Sequence, residues 1–514
     1  MQHPVTIAPD ARWKKIERLV IPIAGAFLLV HVALTLRVVL YTYQHEYREA
    51  APMVVVRAFL DGKNPYSLQM QPAYTYVYGF LYPLLNTPIS KAFGLTLVNA
   101  RIMSWLYSMA AAFLVFRFSR KTIGSVALAG LLAVAFLFAD PERATAQPED
   151  LGLLLLVGSM LIPLCARFSP LSLSLGVLLS ILGFYTKPYY LIGIGYTAAG
   201  LFVFRSKGRA IVYFASAVTV LALSALLIHS IFPAYLNDCF FHHQNVATYS
   251  WAHLVGQLKG YCTRNVFLLA IAVGLGVVSL RGVRDRHLGL SLLDPRRPLV
   301  TGVRLNWYFE VSALVIFGLW VWKLGGHLGG GRGTYLNRML SPVLVLMVAN
   351  RLGRRPGLFW SKCAAVCCLL AFLAFACRDQ YALIRRLDGY RQQIVALESV
   401  LADKQNVLNS PNTVSILLEQ GKPVYESGHS VYFISGDSRY ARRYIYGNAI
   451  AEANRSYLQD VAQKVQSKFF DAVLVPSLEP WSIPVVLSSY YRQTKTYHYP
   501  ALWGDLPVDV WVPN

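Results

Sequence analysis

The sequence predicts a mainly α-helical, polytopic membrane protein. A transmembrane bundle of about eleven spans is followed by a small α/β domain outside the membrane. Three observations carry this reading. Hydrophobic residues make up 55% of the 514 and charged residues 14%, against about 25% charge in a soluble domain. Several apolar runs reach about 18–20 residues, enough to cross a bilayer. The basic residues, which give a net charge of +22, gather in short segments between those runs. This composition excludes an ordinary soluble enzyme, a disordered chain and a fibrous one. It also argues against nucleic acid as a partner, because the positive charge is dispersed in loops rather than aligned on one face.

The N-terminal MQHPVTIAPDARWKKIER is basic, and no small-residue cleavage site follows the first apolar run. Roughly 19–43 therefore reads as a retained span. Further spans fall near 99–117, 122–139, 151–165, 169–185, 188–204, 210–231, 265–280, 306–323, 335–350 and 359–377. The stretch 168–205 also reads as one long span.

With the N-terminus in the cytoplasm, Arg12, Lys14, Lys15 and Arg18 are cytoplasmic. So are Arg117, Arg120 and Lys121, then Arg167, then Arg205, Lys207 and Arg209, then the run from Arg281 to Arg304, and then Arg351, Arg354, Arg355 and Lys362. The acidic clusters near 46–61 and 140–150 fall on the other side. Basic loops face the cytoplasm, so this sorting predicts an inside N-terminus and an outside C-terminus.

Residues 1–377 then form the membrane module and 378–514 the outer domain. The latter is polar, with strand-like VYFISG and DAVLVP and a helical pattern in YLQDVAQKVQSKFFD. Five cysteines sit in or beside spans as small apolar fillers. Cys239 and Cys262 share one outer loop, where a disulfide between them is chemically permitted. Glu310 lies within a span, and Arg304 is its expected partner.

The first outer loop, about 44–98, is long, aromatic and semi-apolar. It reads as amphipathic segments on the outer surface, with Pro72, Pro83 and Pro88 breaking any continuous helix. It opens with Glu46 and Glu49 beside His45 and Arg48. A carboxylate at a semi-apolar boundary is a candidate general base.

These residues carry a family resemblance. Glu49, Ala58, Leu60, then Gly62-Lys63-Asn64-Pro65-Tyr66 and Tyr82-Pro83-Leu84 resemble the first outer loop of the C-type glycosyltransferase superfamily (GT-C). There an acid precedes a G-x-x-P/L-Y turn and a Y-P-P-L element; Leu84 stands here in place of the second proline. Arg101 in NARIMSW resembles the family's Arg-x-x-Ser. PEDLGLLLLVGSML resembles its acidic segment, with Glu149 and Asp150 at the acidic position. FYTKPYYL resembles its T-K-P/Q element, with Lys187 matching, and TYLNRMLSP a late N-x-x-L-x-P segment. The matches run in family order over about residues 40–350.

The resemblance implies an inverting hexosyl- or pentosyltransferase in a bacterial inner membrane. Its partners would be a polyprenyl-phosphate sugar donor, a glycan or glycolipid acceptor, and the bilayer. By the same resemblance Glu49 is the base, with Glu46 as its possible replacement, and Asp150 an acceptor- or metal-positioning acid. Lys187, Arg101, Arg332 and Arg338 are the outer-face cations for the donor phosphate. Tyr66, Tyr82, Glu149, His242 and His243 are candidates for acceptor or sugar contact. No complete metal-ligand set is visible, the histidine pair being incomplete for zinc, and a divalent metal stays open. Gly-rich GGHLGGGRGTY lacks the Lys-Ser/Thr of a nucleotide P-loop.

Two other classes compete. An O-antigen ligase or polymerase would carry its long outer loop late in the chain. A transporter or flippase of lipid-linked sugars would place its charges at mid-bilayer and show related halves.

Overall fold

The computed structural model describes residues 11–139, 144–241, 251–283, 308–315, 318, 334–353, 359–425, 427, 447–476, 485–501 and 504–514. It is mainly helical, with a small sheet near the C-terminus. The helices are α1 (Ala11–Val39), α2 (Ala51–Leu60), α3 (Leu81–Phe93), α4 (Leu97–Ile123), α5 (Val126–Phe138), α6 (Glu149–Cys165), α7 (Pro170–Phe184), α8 (Ile192–Phe204) and α9 (Lys207–Ile231). After them come α10 (Trp251–Arg264), α11 (Val266–Val283), α12 (Thr334–Gly353), α13 (Phe359–Leu401), α14 (Val414–Glu419) and α15 (Gly447–Gln466).

Among the described residues, α1, α4, α9 and α13 are each long and apolar enough to cross a membrane. The bent pair α10–α11, broken by 78°, counts as a fifth if it is one span. The spans expected near 122–139, 169–185, 188–204 and 335–350 contain shorter apolar helices, and that near 151–165 is α6; the one expected near 306–323 lies partly outside the described residues. The 168–205 stretch is two helices, α7 and α8, with a 3-10 turn at Pro188–Leu191 between them.

Local chemistry explains these boundaries. Thr96, Ser125, Ser169 and Ser206 each accept a hydrogen bond from the first turn of α4, α5, α7 and α9, which satisfies an otherwise orphaned N–H. Arg120 and Lys121 close α4, where positive charge meets the negative end of the helix dipole. Pro170 occupies the first turn of α7, a position that needs no donor.

Several expectations change. The first outer loop is only partly at the surface. In α2, Ala51 and Met53–Val56 are nearly inaccessible; Met53 and Val54 pack with Leu97, Ala100, Ala146, Val414 and Leu418, and Ala51 and Val55 with Tyr66, Tyr76 and Leu151. Pro88 lies inside α3 rather than ending it; a proline removes one helical hydrogen bond, and the helix continues through it. The expected boundary at 377 falls inside α13. Cys239 and Cys262 are both free thiols, one buried and one exposed. Cys239 instead donates to the Tyr78 carbonyl at 2.9 Å.

The sheet comprises β1 (Val407–Leu408), β2 (Ala472–Pro476), β3 (Tyr491–Ala501) and β4 (Gly504–Pro513), in the order β1-β2-β4-β3. β1 and β2 are parallel; β2–β4 and β3–β4 are antiparallel. Its apolar face packs on the extension of α13 through Leu387, Ile394, Leu397 and Leu401, and on Tyr41 after α1. Tyr41 donates to the Leu387 carbonyl at 3.2 Å and Tyr43 to Glu398 at 2.6 Å. The C-terminal region is thereby joined to the loop that carries the acids. The strand-like 431–436 lies outside the described residues. Glu310 pairs with Arg351 at 2.6 Å, not with the expected Arg304, which also lies outside them.

Candidate functional site

The chain leaves α1 and turns through a 3-10 helix, Tyr47–Glu49, which aims its two acids at different partners. Glu49 meets Arg101, one turn into α4. The guanidinium forks onto both carboxylate oxygens, Nε to Oε1 at 2.9 Å and Nη2 to Oε2 at 2.7 Å. The backbone N–H groups of His45 and Ala146 add two more bonds at 3.0 Å. Both side chains are 0% exposed. Burial alone would raise the Glu49 pKa, but the Arg101 charge outweighs it and holds the carboxyl at about 2. His45 is lowered to about 4, first by burial and then by Arg101, so its imidazole is neutral near pH 7. Its Nδ1 lies 2.9 Å from Arg101 Nη2.

Arg101 also donates to the carbonyls of Val38, Tyr41 and Tyr43. These lie at and just beyond the C-terminus of α1, where carbonyls lack helical partners. The cation expected at the donor phosphate is therefore a clasp joining α1, α4 and the 3-10 turn.

Glu46 points elsewhere. Its Oε1 accepts Arg48 Nε at 2.6 Å, and its Oε2 accepts the Arg48 backbone N–H at 2.9 Å and Gln147 Nε2 at 2.6 Å. Arg48 Nη1 reaches the Tyr78 hydroxyl at 3.4 Å. Over the Tyr78 ring, 3.5 Å from its centroid, sits Lys187 Nζ. Lys187 and Arg338 converge on one oxygen, Glu149 Oε1, the latter at 2.7 Å. Lys187 and Arg338 are each 1% exposed and Glu149 3%. Glu149 Oε2 is buried without a hydrogen-bond partner.

Two close approaches build this enclosure. The N–H groups of Gly79 and Leu81 bond to the carbonyls of Thr186 and Tyr185. A Cβ on Gly79 would lie 1.8 Å from the Tyr185 oxygen, so only glycine lets the Tyr78 segment reach Lys187. At Gly152 a Cβ would lie 1.9 Å from the Tyr190 ring. That ring's hydroxyl holds the Glu149 carbonyl at 2.9 Å, fixing the start of α6 beside the 3-10 turn after Lys187.

Of the expected site residues, Glu46, Glu149, Lys187 and Arg338 are thus brought together, and Glu49 and Arg101 form an adjacent closed pair. Asp150 accepts the Ala144 N–H at 3.0 Å and holds the turn before α6. Tyr82 is in the core, its hydroxyl donating to the Ala100 carbonyl at 3.1 Å and lying 2.8 Å from Ser104 Oγ. Tyr66 is buried among Phe232 and Tyr235. Neighbouring Asn64 donates to the Ile231 carbonyl at 2.8 Å, so the Gly62–Tyr66 turn caps α9. Arg332, His242 and His243 lie outside the described residues. Among the described residues, no three His, Cys, Asp or Glu side chains converge as metal ligands.

Sequence reasoning named Arg48 without giving it a role, and missed Tyr78, Gln147 and Asp238. Arg48 was detectable, since it stands between the two acids. Asp238 lies in a short π-helical turn, Asn237–Phe241, a motif enriched at functional sites. Burial pushes its carboxyl well above the ordinary range.

No protein-family model matches the chain, and no curated protein matches it. Among solved structures it is similar to ArnT from Cupriavidus metallidurans bound to undecaprenyl phosphate, with 14% identity over 86% of this chain and 80% of that one, at a TM-score of 0.45. It is also similar to the apo state of the same protein, with 13% identity over 87% and 81% and a TM-score of 0.45.

Proposed function

We propose that the chain is a membrane glycosyltransferase that moves a sugar from a polyprenyl-phosphate donor to a hydroxyl of a glycan or glycolipid. One observation carries the reading: Lys187 and Arg338 converge on a single buried carboxylate oxygen. Among the described residues, Arg48, Lys187 and Arg338 gather around Glu46 and Glu149. Guanidinium and ammonium groups suit phosphate oxygens, so a lipid phosphate is the ligand this cluster would take.

The reaction is a single displacement. The base takes the acceptor O–H proton while that oxygen bonds to the anomeric carbon. The bond from carbon to the phosphate oxygen breaks, and polyprenyl phosphate leaves with the electron pair. The transition state has oxocarbenium character. Lys187 and Arg338 stabilise the charge growing on the leaving phosphate.

We assign the base to Glu46 rather than Glu49. Glu49 already accepts four hydrogen bonds, two of them from Arg101, and a carboxylate held at about pH 2 is a weak base. Glu46 shares Arg48 with Tyr78, the ring beneath Lys187.

The test uses detergent-solubilised protein, undecaprenyl-phosphate sugars as donors and a membrane glycolipid extract as acceptor, with no gradient. Release of undecaprenyl phosphate separates an enzyme from a transporter. Glu46→Gln should lower turnover about 100-fold or more and keep undecaprenyl phosphate binding. Lys187→Gln should weaken that binding about tenfold. Unchanged binding in Lys187→Gln removes the phosphate site, and unchanged turnover in Glu46→Gln removes the base.

A further inference from the structure

At the far end of the bundle, α1, α4 and α5 enclose an apolar groove of about 330 Å³. Ile21, Gly25, Phe113, Phe116, Val126 and Gly130 are among its lining residues. Two features set it apart from an ordinary lipid-facing surface. First, an exposed glycine, Gly25, stands in its lining. A Cβ on Gly25 would meet nothing within 4 Å, although glycine in a helix interior is about 1 kcal/mol less favourable than alanine. The position has room for a side chain and holds none.

Second, each of two walls continues into an arginine. On α1, Arg18 precedes Ile21 and Gly25 by three and seven residues, and on α4, Arg120 follows Phe116 and Phe113 by four and seven. That spacing puts each arginine on its wall's own face. Both are exposed. The nearby acid, Glu17, is turned to the start of α5, where it accepts the Ser125 hydroxyl at 2.6 Å. Lys14 and Lys121 add exposed positive charge at the same end.

We propose that this groove seats one acyl chain of an anionic phospholipid, whose phosphate is held by Arg18 and Arg120. Basic pockets between membrane helices bind anionic head groups in this way. The site is separate from the acid–cation enclosure. Arg120 stands nineteen residues after Arg101 on α4, about 28 Å along the axis at 1.5 Å per residue. The lipid therefore belongs to the opposite leaflet from the enclosure, which holds Glu46 and Lys187.

The test is native mass spectrometry of the full chain released from detergent, with phosphatidylglycerol and phosphatidylcholine of matched chains. Each arginine near an anionic head group contributes about fivefold in affinity, so wild type should prefer phosphatidylglycerol by roughly 25-fold. Arg18→Gln with Arg120→Gln should abolish the preference. Gly25→Leu, a better helix former that fills the groove, should weaken both lipids. Circular dichroism checks that each variant stays folded. Equal retention of the two lipids by wild type, a preference surviving the double substitution, or unaltered binding in Gly25→Leu overturns the proposal. Undecaprenyl phosphate is the competitor. Displacement of phosphatidylglycerol that depends on Arg18 and Arg120 would make the occupant the polyprenyl lipid and overturn the assignment; no displacement supports it.

Discussion

Arg101→Met removes the guanidinium while keeping a long apolar side chain, and leaves Glu49 enclosed with only the buried His45 ring, 3.3 Å away, beside it. Breaking one partner out of a buried ion pair costs about 3–5 kcal/mol. The proton linkage gives a similar figure. Glu49 is held at about 2 against an ordinary 4.5, which at 1.36 kcal/mol per pH unit is roughly 3 kcal/mol. Because its folded value is depressed, that stabilisation is present in full above about pH 4.5 and fades as the pH falls toward 2. In the variant, burial without a cation raises the Glu49 pKa, so the carboxyl is neutral and tolerated at low pH. The loss in Arg101→Met should therefore be largest near neutrality and shrink below about pH 5. Glu49→Leu added to Arg101→Met should recover most of it, since an apolar pair can replace a buried ion pair. Equilibrium unfolding in mixed micelles at a series of pH values reads all three. A single variant within about 1 kcal/mol of wild type at pH 7, or a loss that does not shrink toward acid, would show that the pair is not the clasp described here.

Glu149→Gln removes the carboxylate that occupies Lys187 and Arg338 and should raise affinity for undecaprenyl phosphate about tenfold, one charged contact being exchanged for another. Isothermal titration in detergent checks this, and a weaker affinity would mean that Glu149 orients the cations rather than competing for them. Gly79→Ala places a methyl against the Tyr185 carbonyl and should destabilise by about 1–3 kcal/mol while reducing undecaprenyl phosphate binding. Gly25→Ala, whose Cβ meets nothing, is the control and should be neutral or slightly stabilising.

Much of the site was legible from sequence because its markers are local. The resemblance of PEDLGLLLLVGSML to an acidic segment marked Glu149, and that of FYTKPYYL to a T-K-P/Q element marked Lys187. The serine and threonine caps lay at the span boundaries. The continuation of α13 beyond 377 was not read from sequence, although Leu387, Ile394, Leu397 and Leu401 stand at helical spacing. It was hidden by the fall in hydropathy where the apolar run ends.

The sequence by itself determined which segments are apolar, where most helices begin, and that acids and cations gather near the ends of several of them. These are properties of neighbouring residues, set by hydropathy and capping over a few turns. Only the tertiary structure decided which charge meets which. Arg101 and Glu49 are 52 residues apart, and Arg338 and Glu149 are 189 apart. Arg101 was an equally good phosphate ligand by residue type, and it became a clasp because the C-terminus of α1 and the 3-10 turn both arrive at its guanidinium. Likewise α2 had an amphipathic loop's composition, and it is buried because Met53 and Val54 pack with Leu97, Ala100, Ala146 and residues near 414–418, more than 350 positions later, and Ala51 and Val55 with Tyr66, Tyr76 and Leu151. Pairing and burial at such separations depend on the packing of the whole bundle, which no local pattern of residues encodes.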